Sequence, residues 1–187
     1  MKQKILAATV FFNVAAVALF AVYAATGNST VLTFAITALT TAYHFDMRLL
    51  AGLITAHFAP YYHPDAACFR QRRWEKKLYR FLRVRRWRGK LPTYNPALFD
   101  RQTLTPEELA RNQCAAEVGH TVIALLSYLP LLLIPVFGAP AVFLITSVFA
   151  SFADMVFVIA QRYNRPALLR WIALQNSRKE EKRPTVH

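Results

Sequence analysis

The chain has 187 residues and a formal net charge of +13, and 55% of its residues are hydrophobic. Four long apolar stretches and a mean hydropathy of +0.24 exclude an ordinary soluble domain. In a soluble protein this charge would suggest nucleic acid as a partner, but no nucleic-acid-binding module accompanies it. We therefore expect a membrane as the environment of the protein and no nucleic-acid partner.

The first apolar stretch, residues 5–25, predicts a membrane-spanning helix. As a helix it covers about 31 Å, which matches a hydrocarbon core of about 30 Å. Basic residues precede it, so the alternative is a signal peptide cleaved after Val22-Tyr23-Ala24. The stretch is longer than the apolar part of a signal peptide, about 7–15 residues, and a second apolar stretch follows at once. We therefore expect a retained span.

Three further stretches predict an all-α integral membrane fold with about four transmembrane helices. Residues 118–137 and 139–160 are each long enough to cross a bilayer. Residues 29–43 form a shorter stretch, after which charged residues precede another apolar piece at 49–58. For this region we expect a short span followed by an interfacial or re-entrant segment.

The distribution of Lys and Arg predicts the orientation of these spans. Basic residues precede the first span, occur throughout residues 48–111 and follow the fourth span, but the tight connections at 26–30 and 137–140 contain none. The positive-inside rule then places both termini and the middle segment in the cytosol of a multi-pass cell-membrane protein. Cys68 and Cys114 lie on that side and lack CxxC spacing, so we expect reduced thiols.

Composition divides the chain into four regions. We predict an N-terminal transmembrane hairpin with an interfacial segment (1–60), a cytosolic basic amphipathic region (61–115), a C-terminal transmembrane hairpin with the site motifs (116–166), and a charged cytosolic tail (167–187).

Residues 69–90 contain eleven Lys or Arg, with Trp, Leu and Phe recurring among them near helical spacing. This pattern predicts a cytosolic basic amphipathic helix that lies at the membrane interface. Alternatively, the arginines bind the phosphates of a co-substrate. Further along, Thr105, Pro106 and the two acids after them predict the N-cap and first turn of a helix that continues into the third span.

Three ionisable residues in or beside the spans are candidates for chemistry. Glu117 and His120 share one helix face because they are three residues apart. Counted from the turn at 137–140, His120 lies about 27 Å and Asp154 about 23 Å along two antiparallel helices, so we predict a similar depth. Each residue also has a purely structural interpretation, with Glu117 pairing to His120 and Asp154 neutralising an interfacial Arg. As one cluster at one depth they favour a functional site.

Directly after the fourth span comes QRYNRP at 161–166, which is dense in hydrogen-bonding groups. Together with LRVRRWRGKLP at 82–92, AEVGH at 116–120 and SYLP at 127–130, it makes the chain resemble the glycosyl-4,4'-diaponeurosporenoate acyltransferase family of small bacterial membrane enzymes. The resemblance covers about residues 69–169. It departs from the family pattern at Asp154, where Asn is expected, and at Ala167, where Arg is expected.

The resemblance implies transfer of a fatty acyl group from an activated donor, such as acyl-CoA, to a hydroxyl of a membrane lipid or glycolipid, including a glycosylated carotenoid. We predict His120 as general base, and Glu117 as the group that orients it or stabilises its protonated form. Gln161 and Asn164 are candidate oxyanion donors, and Arg162 and Arg165 would bind donor phosphates. The full set of predicted substrate-binding residues is Gln161, Arg162, Tyr163, Asn164, Arg165, Asp154, Trp87 and Lys90. We expect no cofactor and no metal.

Two other classes of protein compete with this interpretation. Glu-x-x-His is half of a helical di-metal carboxylate site, which favours a metal-dependent membrane enzyme, although the sequence contains no second Glu-x-x-His. A non-catalytic membrane adaptor, whose basic helix recruits lipid or protein, predicts instead that Glu117 and His120 are buried apart and dispensable.

Overall fold

The computed structural model describes residues 2–93 and 95–181, and all regular structure within them is helical. The α-helices in chain order are α1 Lys2–Thr26, α2 Ser29–His57, α3 Arg73–Phe81, α4 Val84–Trp87, α5 Pro106–Leu126, α6 Ile134–Phe137 and α7 Pro140–Glu181. Short 3₁₀ helices lie at Ala59–Tyr61, Ala67–Phe69, Arg88–Lys90, Pro96–Phe99 and Leu129–Leu133. The prediction of an all-α fold is confirmed for these residues.

Three helical segments of the described chain are long and apolar enough to cross a membrane: Gln3–Thr26, Pro106–Phe137 and Pro140–Arg178. Many of their large apolar side chains point outward, for example Val17 and Phe149, each of which is 72% exposed. Such surfaces are costly in water and are expected in lipid, where hydrocarbon is the solvent. These segments are those of a membrane protein.

Helix α2 runs without interruption from Ser29 to His57, so the predicted change to a separate segment after Tyr43 is wrong. Two polar residues at this point, Asp46 and Arg48, remain helical with their side chains hydrogen-bonded. Asp46 accepts two hydrogen bonds of 3.2 Å from Asn13 of α1, and Arg48 donates to the carbonyl of His44 at 3.0 Å. These contacts compensate the polar groups without breaking the helix.

The chain divides into two compact units. The first contains the chain up to Ile54 together with Gly119–Val156. Small buried side chains of α2, such as Ala35 and Ala42, allow close helix packing there. The hydroxyl of Tyr43 donates to the carbonyl of Leu126 at 2.8 Å and so satisfies one of the last acceptors of α5.

The second unit contains Thr55–Val118 and the chain from Phe157 onward. The single amphipathic helix predicted over residues 69–90 is wrong, because this segment forms α3 and α4 with a break between them. Arg83 is left-handed at the break, with φ +51°. The indole of Trp87 donates to the carbonyl of Leu82 at 2.9 Å and closes the turn.

Helix α5 begins where the sequence predicts. The hydroxyl of Thr105 accepts from the backbone N–H of Glu108 at 3.2 Å, and the Glu108 carboxylate accepts from the N–H of Thr105 at 2.8 Å. This reciprocal pair is a capping box with Pro106 in the first helical position. The helix then continues to Leu126, as expected.

Helix α7 is 42 residues long and contains Pro166. Proline has no N–H, so the carbonyl of Arg162 lacks its usual helical donor. The helix continues through most of the predicted cytosolic tail to Glu181, and the rest of that tail, residues 182–187, lies outside the described residues.

Candidate active site

His120 of α5 and Asp154 of α7 are hydrogen-bonded in the first unit. Nδ1 of His120 lies 2.9 Å from Oδ1 of Asp154, so the two residues meet between their antiparallel helices. The second carboxylate oxygen accepts from Nη2 of Arg48 at 2.5 Å. The side chain of Asp154 is 1% exposed, whereas those of His120 and Arg48 are 27% and 25% exposed. The aspartate is therefore buried beneath two partly accessible groups.

This arrangement selects one tautomer of His120. An ionised carboxylate only accepts hydrogen bonds, so the neutral imidazole carries its proton on Nδ1, facing Asp154. The lone pair is then on Nε2, at the other side of the ring. An imidazole in this state can take a proton from a substrate hydroxyl.

Arg48 also connects two helices of this unit. Its Nη1 donates to the carbonyl of His44 at 3.0 Å on α2, and its Nη2 donates to the carbonyl of Ala150 at 3.3 Å on α7. The guanidinium therefore has a fixed position beside Asp154. His44 itself is 5% exposed, and neither of its ring nitrogens has a hydrogen-bond partner among the described residues.

Glu117 lies in the second unit, where it pairs with two arginines of the QRYNRP segment. Oε1 of Glu117 accepts from Arg162 at 2.6 Å, and Oε2 lies 2.5 Å from Nη2 of Arg165. Arg162 forms a further ion pair of 2.8 Å with Glu75 of α3. Two carboxylates and two guanidinium groups thus form one ion-pair network that joins α3, α5 and α7.

The same two arginines bind backbone carbonyls. Arg162 donates to the carbonyls of Cys68 and Arg70, both at 3.1 Å. Arg165, which is 1% exposed, donates to Phe69 at 3.1 Å and Gln113 at 3.3 Å. These bonds hold the segment before α3 against α5 and α7. They also occupy Nη donors of both arginines, which we predicted to bind donor phosphates, whereas Nε of Arg165 has no hydrogen-bond partner among the described residues.

Glu75 and Tyr79 are the buried face of α3. The Tyr79 hydroxyl donates to Oε2 of Glu75 at 2.7 Å. Burial alone would raise the pKa of Glu75, but the hydrogen bonds from Arg162 and Tyr79 outweigh it and lower the pKa. Burial, followed by the hydrogen bond to Glu75, raises the pKa of Tyr79. The pair is therefore a carboxylate with a neutral phenol at neutral pH.

The rest of the QRYNRP segment contacts the chain after α4. Oδ1 of Asn164 accepts from Arg88, whose guanidinium carbon lies 5.1 Å from the ring centroid of Tyr163. Gln161 is half-buried. Lys90 is exposed, and Trp87 is half-buried with its N–H bound to Leu82.

The structure thus places the predicted site residues in two sets. His120 and Asp154 are together in the first unit, and Glu117, Arg162 and Arg165 are together in the second. Sequence reasoning missed Arg48 and Glu75. Both had a signal, since Arg48 is a lone arginine between apolar stretches and Glu75 is the one acid among the eleven basic residues of 69–90.

Among the described residues, no group of three or more His, Cys, Asp or Glu side chains could hold a metal ion. The metal-dependent alternative therefore has no ligand set in this part of the chain.

A buried aspartate hydrogen-bonded to a partly exposed histidine, among apolar helices, gives this helical membrane protein the means for acid–base chemistry. The sequence matches the model of the glycosyl-4,4'-diaponeurosporenoate acyltransferase family over residues 65–174, more than half of the chain. The chain belongs to this family and is an acyltransferase. The matched range contains Glu117, His120, Asp154 and the QRYNRP segment. Neither the curated proteins nor the solved structures contain a match.

Proposed function

We propose that this acyltransferase moves a fatty acyl group from a thioester donor, acyl-CoA or a close analogue, to a hydroxyl of a membrane glycolipid. The family name suggests a glycosylated 4,4'-diaponeurosporenoate as the acceptor. The observation that carries the proposal is the hydrogen bond of 2.9 Å between His120 and buried Asp154. This hydrogen bond would give His120 a defined tautomer in which it can act as a base. The proposed lipid substrates would lie in the same membrane as the protein.

In the proposed reaction, Nε2 of His120 takes the proton of the acceptor hydroxyl while the oxygen attacks the acyl carbonyl. The tetrahedral intermediate then collapses, the carbon–sulfur bond breaks, and the departing thiolate takes the proton from the imidazolium. The products are the ester and a free thiol. Asp154 remains ionised and stabilises the imidazolium while it exists.

We propose that Asp154, rather than Glu117, is the carboxylate that orients His120. Arg48 would then be a positioning residue, because it holds the second oxygen of Asp154 at 2.5 Å. For Glu117 we propose a scaffold role with Arg162 and Arg165, because breaking their ion pairs to bind a substrate would leave buried charges unpaired.

The donor phosphates would then need other basic groups. Arg85, Arg86 and Lys90 are exposed in the second unit, which makes them better candidates than Arg165, whose side chain is 1% exposed. The partly exposed Gln161, Tyr163 and Asn164 stay candidates for substrate contact.

We further propose that α2 is a membrane span in addition to the other three, so that both termini and the basic segment after α2, residues 58–105, are cytosolic. An even number of spans agrees with basic residues at both ends and none in the two tight connections. A cytosolic acyl-CoA would then reach the basic segment directly.

The test is acyl transfer by the purified protein in lipid nanodiscs, with acyl-CoA and glycosyl-4,4'-diaponeurosporenoate as substrates and the ester quantified by mass spectrometry. We expect His120→Ala to lower the rate roughly 10²- to 10⁴-fold, since this is the usual contribution of a general base. His63→Ala is the matched control, because His63 is exposed, and it should retain full activity. A folded, fully active His120→Ala protein would refute His120 as the general base.

A further inference from the structure

Helix α3 buries polar side chains and exposes apolar ones. Glu75 and Tyr79 are 3% and 4% exposed, whereas Trp74 is 58%, Leu78 36% and Phe81 83% exposed. An amphipathic helix on a soluble domain does the opposite. The apolar side chains of α3 therefore need a partner outside the described chain.

The exposed side chains of α3 fall into two arcs. At about 100° per residue, Trp74, Leu78 and Phe81 lie within an arc of about 60°. Four basic side chains, all of them exposed, form a second arc of about 100° on the neighbouring side of the helix, the basic arc. Its members are Arg73, Lys76, Lys77 and Arg80. The one acid of the helix, Glu75, is buried, so no carboxylate of α3 lies on this surface.

We infer that α3 docks onto an anionic lipid bilayer, with Trp74, Leu78 and Phe81 inserted at the level of the upper acyl chains and the basic arc in contact with lipid phosphates. An apolar arc beside a basic arc fits a bilayer surface, where hydrocarbon lies beneath anionic headgroups. An acidic protein would complement the charges but would not by itself cover the apolar arc.

The bilayer is also the apolar phase closest to α3 along the chain. Helix α3 ends at Phe81, and α5, which opens a segment long and apolar enough to cross the membrane, begins at Pro106. Residues 82–105 therefore tether α3 to the membrane, and the effective concentration of membrane surface around α3 is high. No soluble partner has this advantage.

The contacts of α3 within its own unit fix which arc faces outward. Arg162 holds the Glu75 carboxylate at 2.8 Å, and Tyr79 packs against Tyr163 with ring centroids 5.8 Å apart. Helix α3 therefore cannot rotate its apolar arc inward without breaking a buried ion pair. This preorganisation lowers the cost of docking.

Tryptophan quenching tests the inference, because the chain has only three tryptophans. The double variant W87F/W171F, with Trp74 as the one tryptophan, would be placed in nanodiscs whose phosphatidylglycerol carries bromine near the headgroup end of its acyl chains. We expect Trp74 to lose most of its emission. The matched control is W74F/W171F, in which Trp87, half-buried and bonded to Leu82, should lose little. Equal quenching of the two proteins would overturn the inference.

A second measurement separates the arcs and avoids the W87F change. The difference in emission between the wild-type protein and W74F reports Trp74 in the otherwise native chain. With K76Q and K77Q added, quenching of Trp74 should fall in phosphatidylglycerol and stay unchanged in brominated phosphatidylcholine. Absence of Trp74 quenching in both lipids would overturn bilayer docking and indicate a protein partner or a second copy of the chain.

Discussion

His120 and Asp154 are 34 residues apart in sequence, yet Nδ1 of the first lies 2.9 Å from a carboxylate oxygen of the second. One partner is 27% exposed and the other 1% exposed. The carboxylate is thus inaccessible to substrate, while the imidazole retains an accessible edge. This asymmetry supports the proposed roles, in which His120 transfers the proton and Asp154 orients the imidazole.

Replacing Asp154 by Asn should preserve the shape of the site but reverse a hydrogen bond. The amide can present its NH₂ group to Nδ1, which would move the imidazole proton to Nε2 and remove the base. We expect kcat to fall roughly 10²- to 10⁴-fold with little change in KM. Asp65→Asn, at an exposed aspartate, is the control. Retention of wild-type kcat by Asp154→Asn would show that His120 needs no orienting carboxylate, and that the Asn expected here from the family pattern serves equally well.

Arg48 should act through charge and geometry together. Arg48→Lys keeps a cation beside Asp154, but a lysine cannot maintain the same set of contacts to Asp154 and to the carbonyls of His44 and Ala150. We expect Arg48→Gln to lower kcat more than Arg48→Lys, with KM for the donor unchanged in both. A rise in donor KM with normal kcat would indicate that Arg48 binds substrate directly.

Glu75 should make stability depend on pH in the acid range. Its folded pKa lies below the ordinary value of 4.5, so its stabilisation is complete above that value and is lost as pH falls through the lowered folded pKa. Removing one partner of a buried ion pair costs about 3–5 kcal/mol. Glu75→Gln should therefore have a lower melting temperature than the wild type at pH 7. Below pH 4.5 its melting temperature should fall by less than that of the wild type.

The measurement is the melting temperature of both proteins in detergent across this pH range. Glu107→Gln, at a partly exposed glutamate, should melt like wild type throughout. Equal pH dependence of Glu75→Gln and wild type would contradict the assignment of the acid transition to Glu75.

Thiol labelling should report the proposed topology. Cys68 is exposed and Cys114 is 0% exposed, so only Cys68 should react with a maleimide in the folded protein. In intact cells an impermeant reagent should label neither, and permeabilisation should expose Cys68. Ser29→Cys, at the first residue of α2, should be labelled from outside. Labelling of Cys68 in intact cells would contradict a cytosolic middle segment.

Local and periodic features could be predicted from the sequence. The start of α5 depends on the capping box formed by Thr105 and Glu108, which lie within one turn. The proximity of His120 and Asp154 could be predicted because the turn between their helices is visible in the sequence. The rise per residue of a helix then gives the position of each residue relative to that turn. Family membership could also be predicted, because QRYNRP and each of the other family motifs is an uninterrupted run of residues in the sequence.

Long-range pairing could not be predicted in the same way. Arg48 and Asp154 are 106 residues apart, and nothing in the sequence around either residue identifies the other as its partner. Arg162 similarly forms ion pairs with Glu75 and Glu117, which lie on separate helices. The left-handed residue Arg83 was missed because arginine has no preference for that conformation, and the break depends on packing of the turn after α3.

The most direct test of the central claim is a comparison of kcat between His120→Ala and the double variant His120→Ala/Asp154→Asn, with the wild type and both single variants measured alongside. If Asp154 acts only through His120, its replacement has nothing further to remove once the imidazole is gone. We predict that the double variant is no slower than His120→Ala. A double variant slowed by the product of the two single effects would contradict the account, because it would mean that the two residues contribute independently.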